Sequence, residues 1–410
     1  MSKDDCSMFK LYPYQREHFD RLVDILKTHK VAIDSSITGA GKTVVAMELG
    51  RYFLKFMHVK KIYVFAPPTL EFHWNSYISN LSNSDNWKFY SSHSLHKVKL
   101  VEESLIIVDE CHLFKNNVKR TDILKKIMRE SKKVLMLSAT PFDDMRQLNN
   151  IMELFYLDKP EKIETQLSTM SFKYKTNTCF FYYHVTQTEQ EIKMYKDGYN
   201  SITYCYQDIP GQEKIFRPQI FNKGLHKIHD SLLDGLVRLI RKCIDDTKDK
   251  LVVVLYFKNT FERLEKEFDN ILILNGETPF NKRKEIIAKF QEQNLEHRIC
   301  AISAEVGSVG IELDDKFGKY PRHMIILPMA NSINFCQAVG RIQRTKTLSD
   351  SKVTVVQPIR DVTYFKKQIE RKFRVLEKFI VIPNFQHIVE DHICNPLDKC
   401  NCGLLIKSNE

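Results

Sequence analysis

Three groups of side chains in this chain of 410 residues have the types and spacing for phosphate chemistry. The first is SSITGAGKT, residues 35–43. In a glycine-rich turn of this kind the backbone N–H groups of Thr38, Gly39, Ala40 and Gly41 can face an anion, together with those that open the following helix. Lys42 can reach the β- and γ-phosphates of a nucleotide, and the Thr43 hydroxyl can ligate Mg²⁺. A full glycine-loop pattern has Gly at position 36, where this chain has Ser36. A small residue there still lets the backbone turn. The second group is Asp109-Glu110, at the end of an apolar run in SLIIVDECH, 104–112. Asp109 is suited to hold Mg²⁺, directly or through water, and Glu110 to orient and deprotonate an attacking water. The third is NFCQAVGRIQRT, 334–345. On a helix Gln337, Arg341 and Arg344 share one face, and two guanidinium forks fit a γ-phosphate. Taken singly, each group has a plainer reading: a chance turn, a solvated strand end, an exposed basic helix.

Placing these groups requires strands that end where they begin. Residues 31–33, 62–66, 105–108 and 134–137 read as apolar strands, with amphipathic stretches such as 44–57 and 121–130 between them. Alternation of this kind predicts a mostly parallel sheet covered on both faces. Each chemical segment then follows a strand, where ligands bind in open α/β sheets. LMLSATPF, 135–142, delivers Ser138 and Thr140 to the same edge, their hydroxyls able to link the carboxylates to a neighbouring lobe; Pro141 ends the strand. Residues 158–225 are less periodic and read as a connector plus the first elements of a second lobe. A second alternation follows, with helices at 229–245, 259–268, 281–292 and 334–340 and strands at 251–256, 271–274, 298–302, 323–327 and 352–356. Helix 361–379 is expected to close it. The organisation is therefore α/β: one parallel-sheet lobe at 8–157, a second at 226–383, and a tail at 384–410.

Composition bounds the partners. The net charge of +11, spread along the chain, suits a polyanion such as nucleic acid. The ten cysteines are mostly scattered singly, and we see neither a signal peptide nor a run of about 18 apolar residues. Reduced thiols in an intracellular compartment, away from membranes, are expected. In the tail, His392, Cys394, Cys400 and Cys402 could supply four ligands to Zn²⁺. Their spacing departs from paired C-x-x-C knuckles, so incidental thiols are the favoured reading.

The order of the motifs is more specific than any one of them. The phosphate loop, Asp109-Glu110-Cys111-His112, Ser138-Ala139-Thr140 and finally Gln337-x-x-Gly340-Arg341-x-x-Arg344 together resemble the superfamily 2 helicases and translocases over roughly residues 8–380. The resemblance implies two RecA-like lobes with an ATP cleft between them. It implies an ATP- and Mg²⁺-dependent nucleic-acid motor, with Gln337, Arg341 and Arg344 completing the site when the lobes close. LYPYQ, 11–15, is similar to the family's adenine-reading segment, giving Gln15 two bonds to the base. His112, Ser138 and Thr140 take coupling roles. Segments 274–290 and 303–313 resemble its second-lobe motifs and add Gly310 to the nucleotide contacts; Glu312 stands where relatives usually have Asp or Asn. Nucleic-acid contacts would come from Pro67, Thr69, Trp74, Lys258 and Ser303, mainly to phosphates, with a place in the core an equal reading for Trp74.

APPTLEFHWNSYI (66–78), DECHLFKNNVKR (109–120) and HVTQTEQEIKMYKDGY (184–199) resemble the Swi/Snf-like branch, whose motors track duplex DNA without opening it. ITGAGKT is closer to the general helicase form, and QAVGRIQR also resembles helicases of large DNA viruses. The expected partner is nucleic acid, DNA before RNA, for a monomer working beside viral transcription or replication proteins. A composition rich in Lys, Asn, Ile and Phe fits an AT-rich genome such as that of a large DNA virus. The alternatives are an RNA helicase or an inactive nucleotide-sensing scaffold. The latter would have lost a site Lys, Glu or Arg, and all are present.

Overall fold

Short runs of branched apolar residues bounded by polar turns make strands, and most of those expected form. The structure is a computed structural model. It describes residues 10–99, 102–114, 119–142, 145–154, 160–171, 174–207, 215–304, 311–329, 332–344, 346–358, 385–389 and 392–394. These fall into two compact units, one running to Tyr174 and the other beginning at Lys175.

The first unit runs α1 (Pro13–Thr28), β1 (Val31–Asp34), α2 (Lys42–Phe56), β2 (Lys61–Ala66), α3 (Glu71–Ile78), β3 (Trp87–Ser91), β4 (Ser104–Asp109), α4 (Lys119–Glu130), β5 (Lys133–Leu137), α5 (Met145–Leu154) and β6 (Leu167–Ser168). Its sheet has the order β3-β2-β4-β5-β1-β6, and every pairing is parallel. Parallel sheets are covered on both faces, and β1 and β4 are buried along their whole length. Among the side chains closing over the sheet are Val45, Leu49 and Phe53 of α2, all fully buried. Each contributes about 1.5–3 kcal/mol relative to exposure. α2 starts at Lys42, two residues earlier than its apolar pattern. Lys42 and Thr43 therefore stand in its first turn, where backbone N–H groups lack helical partners.

The second unit runs β7 (Thr178–Val185), α6 (Glu189–Thr203), a ribbon of β8 (Tyr206–Gln207) and β9 (Ile215–Phe216), α7 (Pro218–Asp230), α8 (Leu233–Asp246), β10 (Lys250–Leu255), α9 (Lys258–Glu267), β11 (Leu272–Leu274), α10 (Phe280–Gln291), β12 (Ile299–Ser303), β13 (Arg322–Ile326), α11 (Ser332–Val339), β14 (Ser351–Pro358), β15 (Phe385–Val389) and β16 (His392–Cys394). The main sheet is β11-β12-β10-β13-β14-β7-β15-β16, parallel except for the last pair.

The expectation of one helix over 229–245 is corrected. α7 ends at Asp230, Ser231 and Leu232 turn, and α8 begins at Leu233. The Ser231 hydroxyl donates to the Ile228 carbonyl at 2.7 Å, the local bonding by which serine competes with helix continuation. The stretch 158–225 holds β7, an inner strand of the second sheet. The expected helix 361–379 lies outside the described residues. Among those that are described, no helix is long and apolar enough to cross a membrane.

Candidate active site

The phosphate loop leaves β1 at Asp34 and returns through two left-handed glycines, Gly39 (φ 81°) and Gly41 (φ 93°). Gly41 is needed twice over. Its backbone disfavours any side chain, and a Cβ there would lie 2.3 Å from Gln15 Nε2. The Lys42 ammonium donates to the carbonyls of Ser36 at 2.7 Å and Ile37 at 3.2 Å, so it curls over the loop. Ser36 is fully buried; its hydroxyl accepts the Met170 N–H at 2.9 Å, and its own N–H donates to Asp34 Oδ1 at 2.9 Å. The residue that departs from the glycine pattern therefore fastens the loop to the segment beyond β6. Asp34 is held in turn by His18 Nε2 at 3.1 Å, and His18 Nδ1 lies 3.1 Å from the Ser168 hydroxyl. Burial alone pushes the Asp34 carboxyl up, but His18 and Lys42 outweigh it and leave it below its ordinary value.

Gln15 is buried against this loop. Its Nε2 donates to Ala40 O at 3.0 Å, and its Oε1 accepts the Tyr12 N–H at 2.9 Å. The amide thus ties the start of α1 to the loop. Tyr12 is 56% exposed and stacks on Tyr14 at 5.8 Å, offering an aromatic face at the same place. The Tyr174 hydroxyl donates to Thr38 O at 2.7 Å. No sequence pattern points to Tyr174, which is far along the chain from the loop it holds.

The carboxylates meet the loop through strand register. β5 lies between β1 and β4, and Leu137 pairs with both Asp34 and Asp109. All three residues therefore stand level at one sheet edge. Asp109 Oδ1 accepts the Glu110 N–H at 2.9 Å, and Oδ2 accepts the Trp74 indole N–H at 2.9 Å. Burial, helped by the Glu110 charge, pushes the Asp109 carboxyl up to about 7. A buried carboxylate so disfavoured as an anion is a good place for a cation. The hard oxygens of Asp109 and Thr43 fit Mg²⁺. Glu110 has φ 53°, a left-handed backbone that a non-glycine residue adopts at some cost and that re-aims its side chain past the strand end. Glu110 Oε2 lies 3.2 Å from His112 Nδ1, which is itself 3.2 Å from the Ser138 hydroxyl. Ser138 Oγ accepts the Thr140 N–H at 3.1 Å. The three expected coupling residues thus lie in one network reaching Glu110.

In the second unit the expected shared helical face is corrected. α11 ends at Val339, before Gly340, and the chain then makes tight turns, with Arg341 N–H on Ala338 O and Ile342 N–H on Val339 O. A glycine just past the last helical turn is the ordinary terminator. Gln337 stays on the helix, whereas Arg341 and Arg344 lie beyond it. The two guanidiniums converge all the same: Arg341 Nη1 donates to Ile311 O at 3.4 Å, and Arg344 Nη2 to the same carbonyl at 2.9 Å. Arg344 Nη1 also pairs with Glu312 Oε1 at 3.2 Å, so Glu312 is placed as an arginine partner.

The expected nucleic-acid contacts divide. Thr69 is exposed, Lys258 is exposed beside Glu277 at 3.5 Å, and Ser303 is half-buried at the end of β12. Pro67 is buried. For Trp74 the core reading holds and the strand contact is corrected: it is fully buried with its N–H on Asp109, so its side chain has no surface to offer a strand. Gly310, Cys400 and Cys402 lie outside the described residues. His392 and Cys394 occupy alternate positions of β16. Among the described residues no group of three or more His, Cys, Asp or Glu could hold a metal ion.

Two family profiles match the first unit: "Type III restriction enzyme, res subunit" over residues 8–71 and "DEAD/DEAH box helicase" over 87–148. A protein of Acanthamoeba polyphaga mimivirus that carries a provisional name, ATP-dependent RNA helicase, is 23% identical over 441 aligned positions, covering 85% of this chain and 78% of that one. Two Sulfolobus solfataricus structures of a SWI2/SNF2 ATPase core were also matched. One is in complex with dsDNA (15% identity, 85% of this chain, 88% of that one); the other is the core domain (17%, 94% of each). Both have a TM-score of 0.38, a likeness too loose to bear on the chemistry of this chain.

Proposed function

We propose that the chain is a superfamily 2 helicase or translocase, an ATP-driven motor that moves along duplex DNA; the two helicase-type family profiles and the mimivirus relative support the family. The observation that carries the ATPase reading is the register that sets Asp34, from which the phosphate loop springs, level with Asp109 on one parallel sheet. Lys42 meets the phosphate charge, and the loop amides with the first turn of α2 bind the anion. Thr43 and Asp109 would hold Mg²⁺, which neutralises charge on the phosphate oxygens when bound. Glu110 orients a water and takes its proton. His112 links Glu110 to Ser138 and Thr140, giving hydrolysis a path toward the strand-binding surface. By the family resemblance, Arg341 and Arg344 would supply guanidinium groups to the γ-phosphate in the transition state.

DNA is preferred on the resemblance of segments 66–78, 109–120 and 184–199 to duplex-tracking motors, together with the basic charge of +11. Thr69, Lys258 and Ser303 are the phosphate contacts in this reading. RNA is the second reading, and the mimivirus relative's name favours it. ATPase rates with single-stranded DNA, duplex DNA and RNA separate the two. Stimulation by duplex DNA without strand separation supports the first, and stimulation by RNA alone replaces it with the second. Lys42→Ala should cut hydrolysis at least about a hundredfold, as loss of a transition-state donor does, and leave nucleic-acid binding intact. Retained hydrolysis would remove the ATPase assignment.

A further inference from the structure

Trp74 has no place in the chemistry above, yet it touches its centre. The residue lies on α3, which continues without a break from the turn Pro68–Leu70. That segment presents Thr69, Phe72 and His73 to solvent and turns Trp74 and Ile78 inward. The indole ring is fully buried, and its N–H, a donor with no acceptor capacity, meets Asp109 Oδ2 at 2.9 Å. With Oδ1 taken by the Glu110 N–H, each carboxylate oxygen is fixed by one donor and keeps lone pairs for a cation. A phenylalanine would keep an aromatic ring in the core but would lack this donor. Hydrogen bonds to a charged carboxylate are also the stronger kind.

We propose that Trp74 is a positioning residue that orients the Asp109 carboxylate for Mg²⁺ and ties that orientation to the exposed segment at Thr69. A strand bound on the outer side of α3 then bears on the metal-holding carboxylate through about one and a half turns of helix and one hydrogen bond. The inference rests on the motor reading for what Asp109 holds.

Trp74→Phe tests it by removing the N–H while keeping a smaller aromatic ring in the core. The Mg²⁺ concentration for half-maximal ATPase should rise about tenfold, the order expected for one hydrogen bond to a charged group. Stimulation by nucleic acid should fall, while nucleotide affinity without Mg²⁺ holds. A second measurement needs no turnover. The chain has two tryptophans, and the buried Trp87 N–H finds no partner among the described residues. Trp87→Phe therefore leaves Trp74 as the sole tryptophan, read by excitation that tyrosine does not absorb. Its fluorescence should respond to Mg²⁺ added with adenylyl imidodiphosphate, and this decides the matter if Trp74→Phe does not fold. Unchanged Mg²⁺ half-saturation in Trp74→Phe, or emission blind to Mg²⁺, overturns the proposal. Absence of ATPase in the unaltered chain would instead break the motor reading, and the emission titration would still report whether Trp74 senses the ion.

Discussion

The two units hold their charged groups in opposite ways. In the first, Lys42, Asp109 and Glu110 stand at one sheet edge and are fixed there by three residues outside any motif, Tyr174 on the loop, Met170 on Ser36 and His18 on Asp34, and by Trp74 of the 66–78 segment on Asp109. In the second, Arg341 and Arg344 share the Ile311 carbonyl, and Arg344 also holds Glu312. In the proposed reading the first unit holds the phosphate and metal contacts together with the base of the chemical step. The second gives its arginines partners of their own, which a phosphate would have to replace. Altering the second unit's arginines should therefore slow turnover and spare nucleotide binding.

Arg344→Ala gives the largest effect that can break this division. Turnover should drop about a hundredfold or more, since such arginines stabilise charge that develops in the transition state, while ATP affinity stays within about threefold. Steady-state kinetics with equilibrium nucleotide binding check it. An affinity that collapses along with turnover would put Arg344 in ground-state binding and end the contrast.

Acid should separate the units next. Burial holds His229 and His323, both in the second unit, down to about 4. A histidine kept neutral by the fold contributes fully above its unfolded value near 6.5 and loses that contribution as pH falls toward 4. At pH 5.5 the loss is about 1 kcal/mol, or slightly more, for each. In the first unit Asp34 sits below its ordinary 3.8, so its contribution is lost only in stronger acid. Asp109, pushed up to about 7, is relieved by protonation over the same range. Between pH 7 and 5, amide exchange in β10 and β13 should accelerate before that in β1 and β4. Simultaneous loosening would show that the units do not differ in this way.

The contrast also explains what the sequence can reveal. Strands β1, β2, β4 and β5 are apolar runs bounded by turns, and their ends carry the chemical residues, so sheet and site are legible together. β6 is two residues long and shows no periodicity, yet its pairing with β1 brings Ser168, Thr169 and Met170 against the loop. Contacts such as Tyr174 on Thr38 come from tertiary proximity across more than a hundred positions, which no local pattern encodes. The spacing of Gln337, Arg341 and Arg344 reads as helical because periodicity cannot see where Gly340 stops the helix. Trp74 reads equally as a strand contact or a core residue, because a motif marks which residue occurs, not which way it faces.

Ser36→Gly is the next smaller test, and it probes the first unit's scaffolding alone. Restoring the glycine pattern would strip Met170 N–H of its acceptor inside the core, costing about 1–3 kcal/mol. Added backbone freedom costs roughly a further 0.5–1 kcal/mol. Thermal or denaturant unfolding should register the loss, with ATP turnover within about twofold of the original at a temperature where both chains are folded. A large fall in turnover would mean that the serine hydroxyl serves the phosphate rather than the fold.

The smallest expected effect lies in the second unit, at Glu312. Its carboxylate pairs with Arg344 at 3.2 Å and with Lys316 at 2.6 Å, and its side chain is 47% exposed. A pair so accessible to water is worth about 1 kcal/mol at most, so its removal can change a rate by no more than about fivefold. The sign carries the information. If Glu312 restrains Arg344, Glu312→Gln releases the guanidinium and turnover rises a few-fold with ATP affinity unchanged. If the pair instead aims Arg344, the same substitution lowers turnover by a similar factor. High salt separates the cases further, because screening weakens an exposed pair: the original chain should move toward the variant's rate, and the variant itself should respond less.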